Sequence, residues 1–412
     1  MKTIFKSTIA ILILQTFSGF AQQKITISNP YSADRVDEQI VIKKSSIKKI
    51  SKGKTPVLLD EKGKQIPSQA DDLDGDGVWD EISLVINVAQ KSKKTLTVKF
   101  VTQKEITNHT RRAHAGLWLS ENRDNNFKLV KNEIRPKAYI AQSMPLRYLM
   151  EGPGWENELV AFRSYFDSRN GKDIFGKITS DTVIGVIGRP GNDYHAFSTW
   201  GMDVLKVGKS LGAGAIAILD GGKLYRLGQT DQATYQLLAD GPCRSIISLT
   251  YNGWEVNGKT YSLTEEITIW AGKYWFESNL LLKGNNEDAI LVTGIVNMKG
   301  DKKIYSERNE NGFSYLATYS SQSENLDKLG MALIIKNKKM ESFEVAPEEG
   351  KNDDVIKTNY VKLPVKKGKS TSFKFVSGWE KSNPLFTTKD GFVSYVKDQC
   401  KNLAEPLNIS VK

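Results

Sequence analysis

The sequence predicts an all-β protein of stacked antiparallel sheets arranged in two units. Three observations lead there. Short runs rich in β-branched and aromatic residues recur along most of the 412 residues. Clusters of Gly, Pro, Asp and Lys break these runs at short intervals. Only one stretch, near the C-terminus, carries a helical period.

The chain opens "MKTIFKSTIAILILQTFSGFAQQ". Lys2 and Lys6 precede an apolar run, and small residues precede Gln22. This reads as a secretory signal over residues 1–21, cut after Ala21. The apolar run is short and no second span follows, which argues against a membrane anchor. No cysteine stands at the cut, so no lipid attachment is expected. The mature chain is expected to be exported, most simply to the periplasm, with no membrane partner after cleavage.

Residues 22–112 predict a small N-terminal β-sandwich. Its strands are "KITISNP", "EQIVIKK", "TPVLLDEKGKQIPSQ", "EISLVINV" and "KKTLTVKFV", with "DEKGKQ" as a hairpin turn. Residues 113–412 form the second unit. Its first part, to about residue 215, mixes polar, aromatic and glycine residues without a clean period, as loops that carry sites do. From "GPCRSIISLTYNGWEV" onward long alternating strands dominate. "GFVSYVKDQCKNL" has helical spacing, and "PLNISVK" closes the chain as a strand.

The Asp-rich stretch "QADDLDGDGVWDE" places Asp72, Asp74 and Asp76 at alternate positions before Gly77, with Asp80 following. This is the first half of a calcium loop, because hard cations take oxygen ligands that a curved loop can converge. The match then fails. The twelfth position is Ser83 rather than a bidentate Glu, and the flanks read as strands. A shorter loop holding a structural calcium is one reading, and an Asp/Gly turn with solvated carboxylates is the other.

The formal charge of +11 favours anionic partners. No nucleic-acid module and no basic amphipathic helix is present, so an acidic polysaccharide is the expected class. Cys243 and Cys400 are too few for a disulfide framework and read as separate buried thiols. His109, His114 and His195 offer no compact zinc set, and no nucleophile elbow or phosphate loop is found. No cofactor is expected for catalysis.

Two segments carry residues suited to chemistry. "GNDYHAFSTWGMD" joins Tyr194 to His195, near Trp200. A Tyr–His pair can supply acid and base, and a tryptophan can face a sugar ring. The alternative is a structural histidine in a β loop. "WENELVAFRSYFDSRNGKDIFGK" holds Trp155, Glu156, Arg163, Arg169 and Lys177. If the strand continues through this region, Arg163, Tyr165, Asp167 and Arg169 share one face and Phe162 and Phe166 the other. That polar face is either an internal ion-pair network or a clamp for a carboxylate or sulfate. Were the two segments to meet, a uronic acid would find its carboxylate neutralised, its C5 proton acidified and its C4 oxygen protonated on leaving. Tyrosine, with a reference pKa of about 10, would need those cations to act as a base. The bets are His195 and Tyr194 as acid and base, Arg163 and Arg169 as neutralisers, Lys177 in support, and Trp155, Glu156 and Trp200 on the sugar.

Four stretches together carry a family resemblance: "SQADDLDGDGVWDE", "GPGWENELVAFRSYFDSRNGKDIFGK", "DYHAFSTWGMDVLKVGKSLGAG" and "DGPCRSIISLTYNGWEVNGKTYSLTEEITIWAG". The chain resembles a domain family of secreted Bacteroidetes proteins found among polysaccharide-utilisation proteins. One type in that family, which this chain looks like, is an ulvan oligosaccharide dehydratase. It removes water from a terminal uronic acid and leaves a 4,5-unsaturated residue. The last stretch is also similar to the β-supersandwich of galactose mutarotase-like proteins. That resemblance implies a supersandwich over residues 113–412 and a hydro-lyase acting on an acidic, possibly sulfated, oligosaccharide. Two alternatives stay open: a lyase or a glycoside hydrolase using Glu156 with Glu158 or Asp203, and a glycan-binding protein without turnover.

Overall fold

The computed structural model describes residues 23–412, except 49, 138, 140–145, 285–287, 309–311 and 351–352. The expected secretory signal lies outside the described residues. The regular structure of the described residues is almost wholly antiparallel strand, with one α-helix at Lys389–Ala404.

Two sheets build the N-terminal unit. One has four strands in the order Asn408–Val411, Lys24–Asn29, Ser92–Val101, Thr55–Leu59; the other has three, Arg35–Lys43, Glu81–Val88 and Ser68–Asp71. They face each other across Ile25, Ile27, Ile40, Leu58, Leu84 and Val98. The last strand of the chain pairs with the first, Ile25 opposite Val411. A division into 22–112 and 113–412 therefore fails for the C-terminal strand. Ile25 and Ile27 need a second hydrogen-bonded neighbour on the open side of their strand, and the returning chain supplies it.

The second unit is the expected supersandwich. A nine-stranded sheet, from Ile304–Glu307 at one edge to Asn132–Arg135 at the other, covers a five-stranded and a six-stranded sheet. Lys259–Trp270 shows why the chain takes this form: Tyr261, Leu263, Ile267 and Ile269 point inward at period two while Thr264 and Glu266 do not. One inward residue, Glu265, is charged, and Lys172 of the opposite layer meets it at 3.0 Å. The common core stacks Trp155, Phe162, Phe276 and Phe375. The helix packs Phe392 and Val396 onto the back of the large sheet, and Thr388 caps its first turn by accepting from Gly391 N–H.

Ion pairs join the units. Arg244 reaches Asp71 and Glu81, and Arg112 reaches Asp37 and Glu158. Cys243 and Cys400 are free and buried.

Candidate functional site

The six-stranded sheet positions the polar cluster. Its hairpin pairs Val160–Ser164 with Lys172–Lys177, and register sets Arg163 directly opposite Asp173. The first strand ends at Ser164, so the strand face expected through Arg169 is cut short. Asp167, Arg169 and Asn170 make the turn instead, with Asp167 accepting from the backbone N–H of Arg169. The strand Gly201–Asp203 adds to the outer side of this hairpin and brings Asp203 beside Asp173.

Arg163 is the centre. Its side chain is 3% exposed. Nη2 donates to Asp173 at 2.7 Å and to Asp203 at 3.0 Å; Nη1 donates to the Met150 carbonyl at 3.2 Å. The guanidinium lies 4.8 Å from the Tyr165 ring centre and 4.9 Å from that of Tyr194. Tyr165 donates to Asp173 at 2.8 Å, and Arg169 covers the same ring at 4.2 Å. The segments carrying Arg163 and Tyr194–His195 therefore do meet.

The loop that presents His195 runs back onto the cluster. Asp203 N–H donates to the Tyr194 carbonyl at 2.8 Å, and His195 N–H donates to Asp193 at 2.9 Å. Two glycines let the loop close: Gly188, at φ +77°, sits against the Tyr194 ring, and a Cβ at Gly201, at φ +132°, would overlap the Gly176 carbonyl at 1.8 Å. The His195 side chain is 69% exposed, and its Nδ1 is 3.9 Å from Asp203 Oδ2, short of a hydrogen bond. Below, Met150 and Glu151 hold φ of +46° and +67°. Adjacent non-glycine residues in the left-handed region store strain, a feature concentrated at working sites. Here they aim the Met150 carbonyl at Arg163 and the Glu151 carboxylate at Arg169.

The electrostatics follow from burial. The Asp203 carboxyl is raised well above the usual carboxylate range by burial and by Asp173 beside it, which Arg163 offsets only in part. Burial also raises the Tyr194 phenol, against the pull of Arg163. At Tyr194 desolvation thus outweighs the nearby cations, which favours the protonated phenol.

Other sequence candidates land in the scaffold. Trp155 is 1% exposed, its ring stacked on Phe162, and offers no face to a sugar. Trp200 is buried edge-on against Phe175. Lys177 donates to Glu156 at 2.7 Å, and Glu156 also accepts from the N–H groups of Val183 and Ile184. That pair is fully buried and internally satisfied, so neither residue reaches substrate. Arg163, buried and committed to two aspartates, cannot grip a substrate carboxylate either; Arg169 is also paired, with Asp167 and Glu151, but is 40% exposed and keeps an edge toward solvent. The sequence named Asp173 and Asp203 without seeing their role. The turn "DSRNG" was the missed signal, since a hairpin there sets Arg163 across from Asp173. Phe197, 53% exposed two residues beyond His195, is an aromatic face that sequence reasoning passed over.

The Asp-rich loop joins Ser68–Asp71 to Glu81–Val88. Asp72, Asp74 and Asp80 bring carboxylate oxygens within 4.8 Å of one another and could hold a hard cation. Asp76 is not of this set, its carboxylate accepting from Val78 N–H. A larger cavity of about 1130 Å³ lies between the units and includes His109. Its walls carry amide, hydroxyl and aliphatic groups together with Lys131 and the carboxylates of Asp71, Asp72, Asp74 and Asp240, of which Asp71 is paired with buried Arg244 and Asp240 with His114. The Arg163 cluster differs in setting an exposed imidazole, His195, against the Tyr194 ring. His114 is held by Asp240 at 3.1 Å.

Fold and cluster define a protein of stacked antiparallel sheets that carries a polar centre on its six-stranded sheet. The chain belongs to the family described as "Domain of unknown function (DUF4861)", which it matches over residues 27–409. Uncharacterized protein P7 of Formosa agariphila is 24% identical over 324 residues, covering 71% of this chain and 76% of that protein. An α-mannosidase from Enterococcus faecalis shares the fold with a TM-score of 0.51 at 10% identity, over 95% of this chain and 46% of its own. A glycosyl hydrolase family 38 protein from the same species gives 0.50 at 9%, over 96% and 48%. This chain spans about half the length of those solved chains, and at such identity the likeness concerns fold alone.

Proposed function

We propose that the protein is an exported oligosaccharide dehydratase, which eliminates water from a terminal uronic acid of an ulvan-type acidic oligosaccharide. One observation carries this reading. An exposed imidazole, His195, stands beside a phenol that keeps its proton, Tyr194, over a buried Arg163–Asp173–Asp203 network. An exposed base and a desolvated acid side by side are what a β-elimination requires.

In the reaction His195 takes the C5 proton. The C5–H electrons form the C4=C5 bond, the C4–O bond breaks, and Tyr194 gives its proton to the departing hydroxyl, releasing water. Charge that builds on the substrate carboxylate is met by the exposed edge of Arg169, which Asp167 and Glu151 hold at the border of the cluster. Arg163 acts one layer behind, fixing Tyr194 and sharing its charge between two aspartates. Phe197 offers the sugar its apolar face, a role earlier sought in Trp155 and Trp200. The hydrolase alternative is less favoured, because Glu156 is bound to Lys177, Glu158 to Arg112 and Asp203 to Arg163.

The test is product analysis. Ulvan oligosaccharides ending in a uronic acid are incubated with the protein and followed by ultraviolet absorbance and mass spectrometry. A new chromophore with loss of one water and no chain shortening is expected. A chromophore with cleavage makes the protein a lyase, and cleavage without a chromophore makes it a hydrolase.

A further inference from the structure

On the far side of Arg169 from Tyr165 lies a recess of about 570 Å³. Arg169, Lys209 and Arg226 line it, together with Glu255, Asp353 and Asp354. Arg226 ends the edge strand Lys223–Arg226 and folds back over the hairpin turn. It packs where Gly171 has no side chain: a Cβ there would stand 3.2 Å from Arg226 Nη2 and 2.9 Å from the Tyr165 ring. Its Nη1 donates to the Gly208 carbonyl at 3.3 Å, and its Nε is buried with no partner. Among the described residues no carboxylate lies within ion-pair distance of Arg226, whereas Arg163 and Arg169 each have carboxylate partners. Burial and the like charge of Arg169 both lower its pKa. A desolvated cation with an unmet N–H beside a second cation is a costly arrangement, and buried charges are ordinarily paired.

We propose that this recess is an oxyanion subsite, in which Arg226 and Lys209, with the outer edge of Arg169, receive a sulfate ester or second carboxylate on the sugar next to the reacting uronate. The identity of the ligand as a saccharide rests on the elimination reading; the anion site does not. A guanidinium fork suits a tetrahedral or planar oxyanion, which can take two parallel bonds. The recess opens beside Arg169, so one saccharide can reach both places. Glu255, Asp353 and Asp354 line the same recess, and Asp354 favours the charged form of Arg226.

The experiment is calorimetric titration of the mature protein with two uronate oligosaccharides that differ in one sulfate ester, with inorganic sulfate as competitor. The wild type should bind the sulfated sugar tighter by about tenfold or more, the scale of one bidentate charge-assisted contact. Arg226→Gln should abolish that preference, and Arg226→Lys should keep part of it, which preserves the test if the glutamine variant fails to fold. Competition by inorganic sulfate would show that the anion itself is read rather than the sugar that bears it. Equal affinity for the two sugars in the wild type, or a preference that survives in both Arg226 variants, overturns the proposal. So does an Asp354→Asn variant that loses thermal stability without any change in sulfate preference, since Asp354 would then be the internal counterion. Sulfate preference that depends on Arg226, without any elimination product, upholds the subsite and removes the dehydratase reading.

Discussion

Arg163 Nη2 stands 3.0 Å from Asp203 Oδ2, although the two residues lie forty positions apart in the chain. The contact ties the outer strand Gly201–Asp203 to the hairpin below it and fixes the loop that ends in His195. Removing the guanidinium leaves Asp173 and Asp203 buried together without a cation. Arg163→Ala should therefore cost about 3–5 kcal/mol in urea unfolding. Adding Asp203→Asn to that variant should recover part of the loss, because the second ionisable carboxyl beside Asp173 is then gone. A double variant less stable than the single one would contradict this account of the network.

Asp203 gives a pH signature. At pH below the unfolded carboxylate value of about 3.9 the group is protonated in both states and contributes no difference. As pH rises, the unfolded chain ionises while the folded one holds its proton, so stability falls up to the raised folded value. Asp203→Asn removes that slope and still accepts from Arg163. The stability of the wild type relative to Asp203→Asn should decline as pH rises from about 4. A relative stability that instead rises with pH would mean an ionised Asp203.

Lys177 is a structural cation here. Lys177→Ala leaves Glu156 fully buried with only two backbone N–H donors, and should destabilise by about 3–5 kcal/mol. The double variant Lys177→Met with Glu156→Leu should be less damaging, since no charge remains unpaired. A Lys177→Ala protein of normal stability that has lost turnover would return the residue to the catalytic set.

The Asp-rich loop answers to calcium in a separate experiment. Asp72, Asp74 and Asp80 crowd three carboxylates whose mutual repulsion a divalent cation would relieve. We expect calcium added to chelator-treated protein to raise Tm, and Asp74→Asn to weaken that response. The loop is also held by its own bonds, Asp72 accepting from Gly75 and Gly77 and Asp80 from Leu73. An unchanged Tm on calcium addition would make it a hydrogen-bonded turn and nothing more.

Period-two patterning made the strands of the large sheet legible, as in Lys259–Trp270, where side-chain alternation is set by the backbone itself. The single helix was legible for the same reason, at its own period. Pairing between distant segments was not. Nothing in "PLNISVK" says that its neighbour is the first strand of the chain, because an edge strand accepts any partner of suitable register. At the site, residue type pointed to Arg163 and to the Tyr194–His195 pair, but burial decides their roles. Trp155 and Phe197 are both aromatic residues near polar ones in sequence; only the fold sets the first in the core and the second in solvent. Which member of the Tyr194–His195 pair is acid and which base was not legible either, since cation proximity can be guessed from sequence and desolvation cannot.

The central claim is that His195 performs proton transfer at an exposed position that the fold does not need. The decisive measurement is turnover of a uronate-terminated oligosaccharide by His195→Ala and the wild type, with thermal unfolding of both. With the side chain 69% exposed, the substitution should alter stability by no more than about 0.5 kcal/mol. It should lower kcat by about 10²–10⁴-fold, the range for loss of a general base. A variant that folds normally and turns over substrate at the wild-type rate would contradict the account.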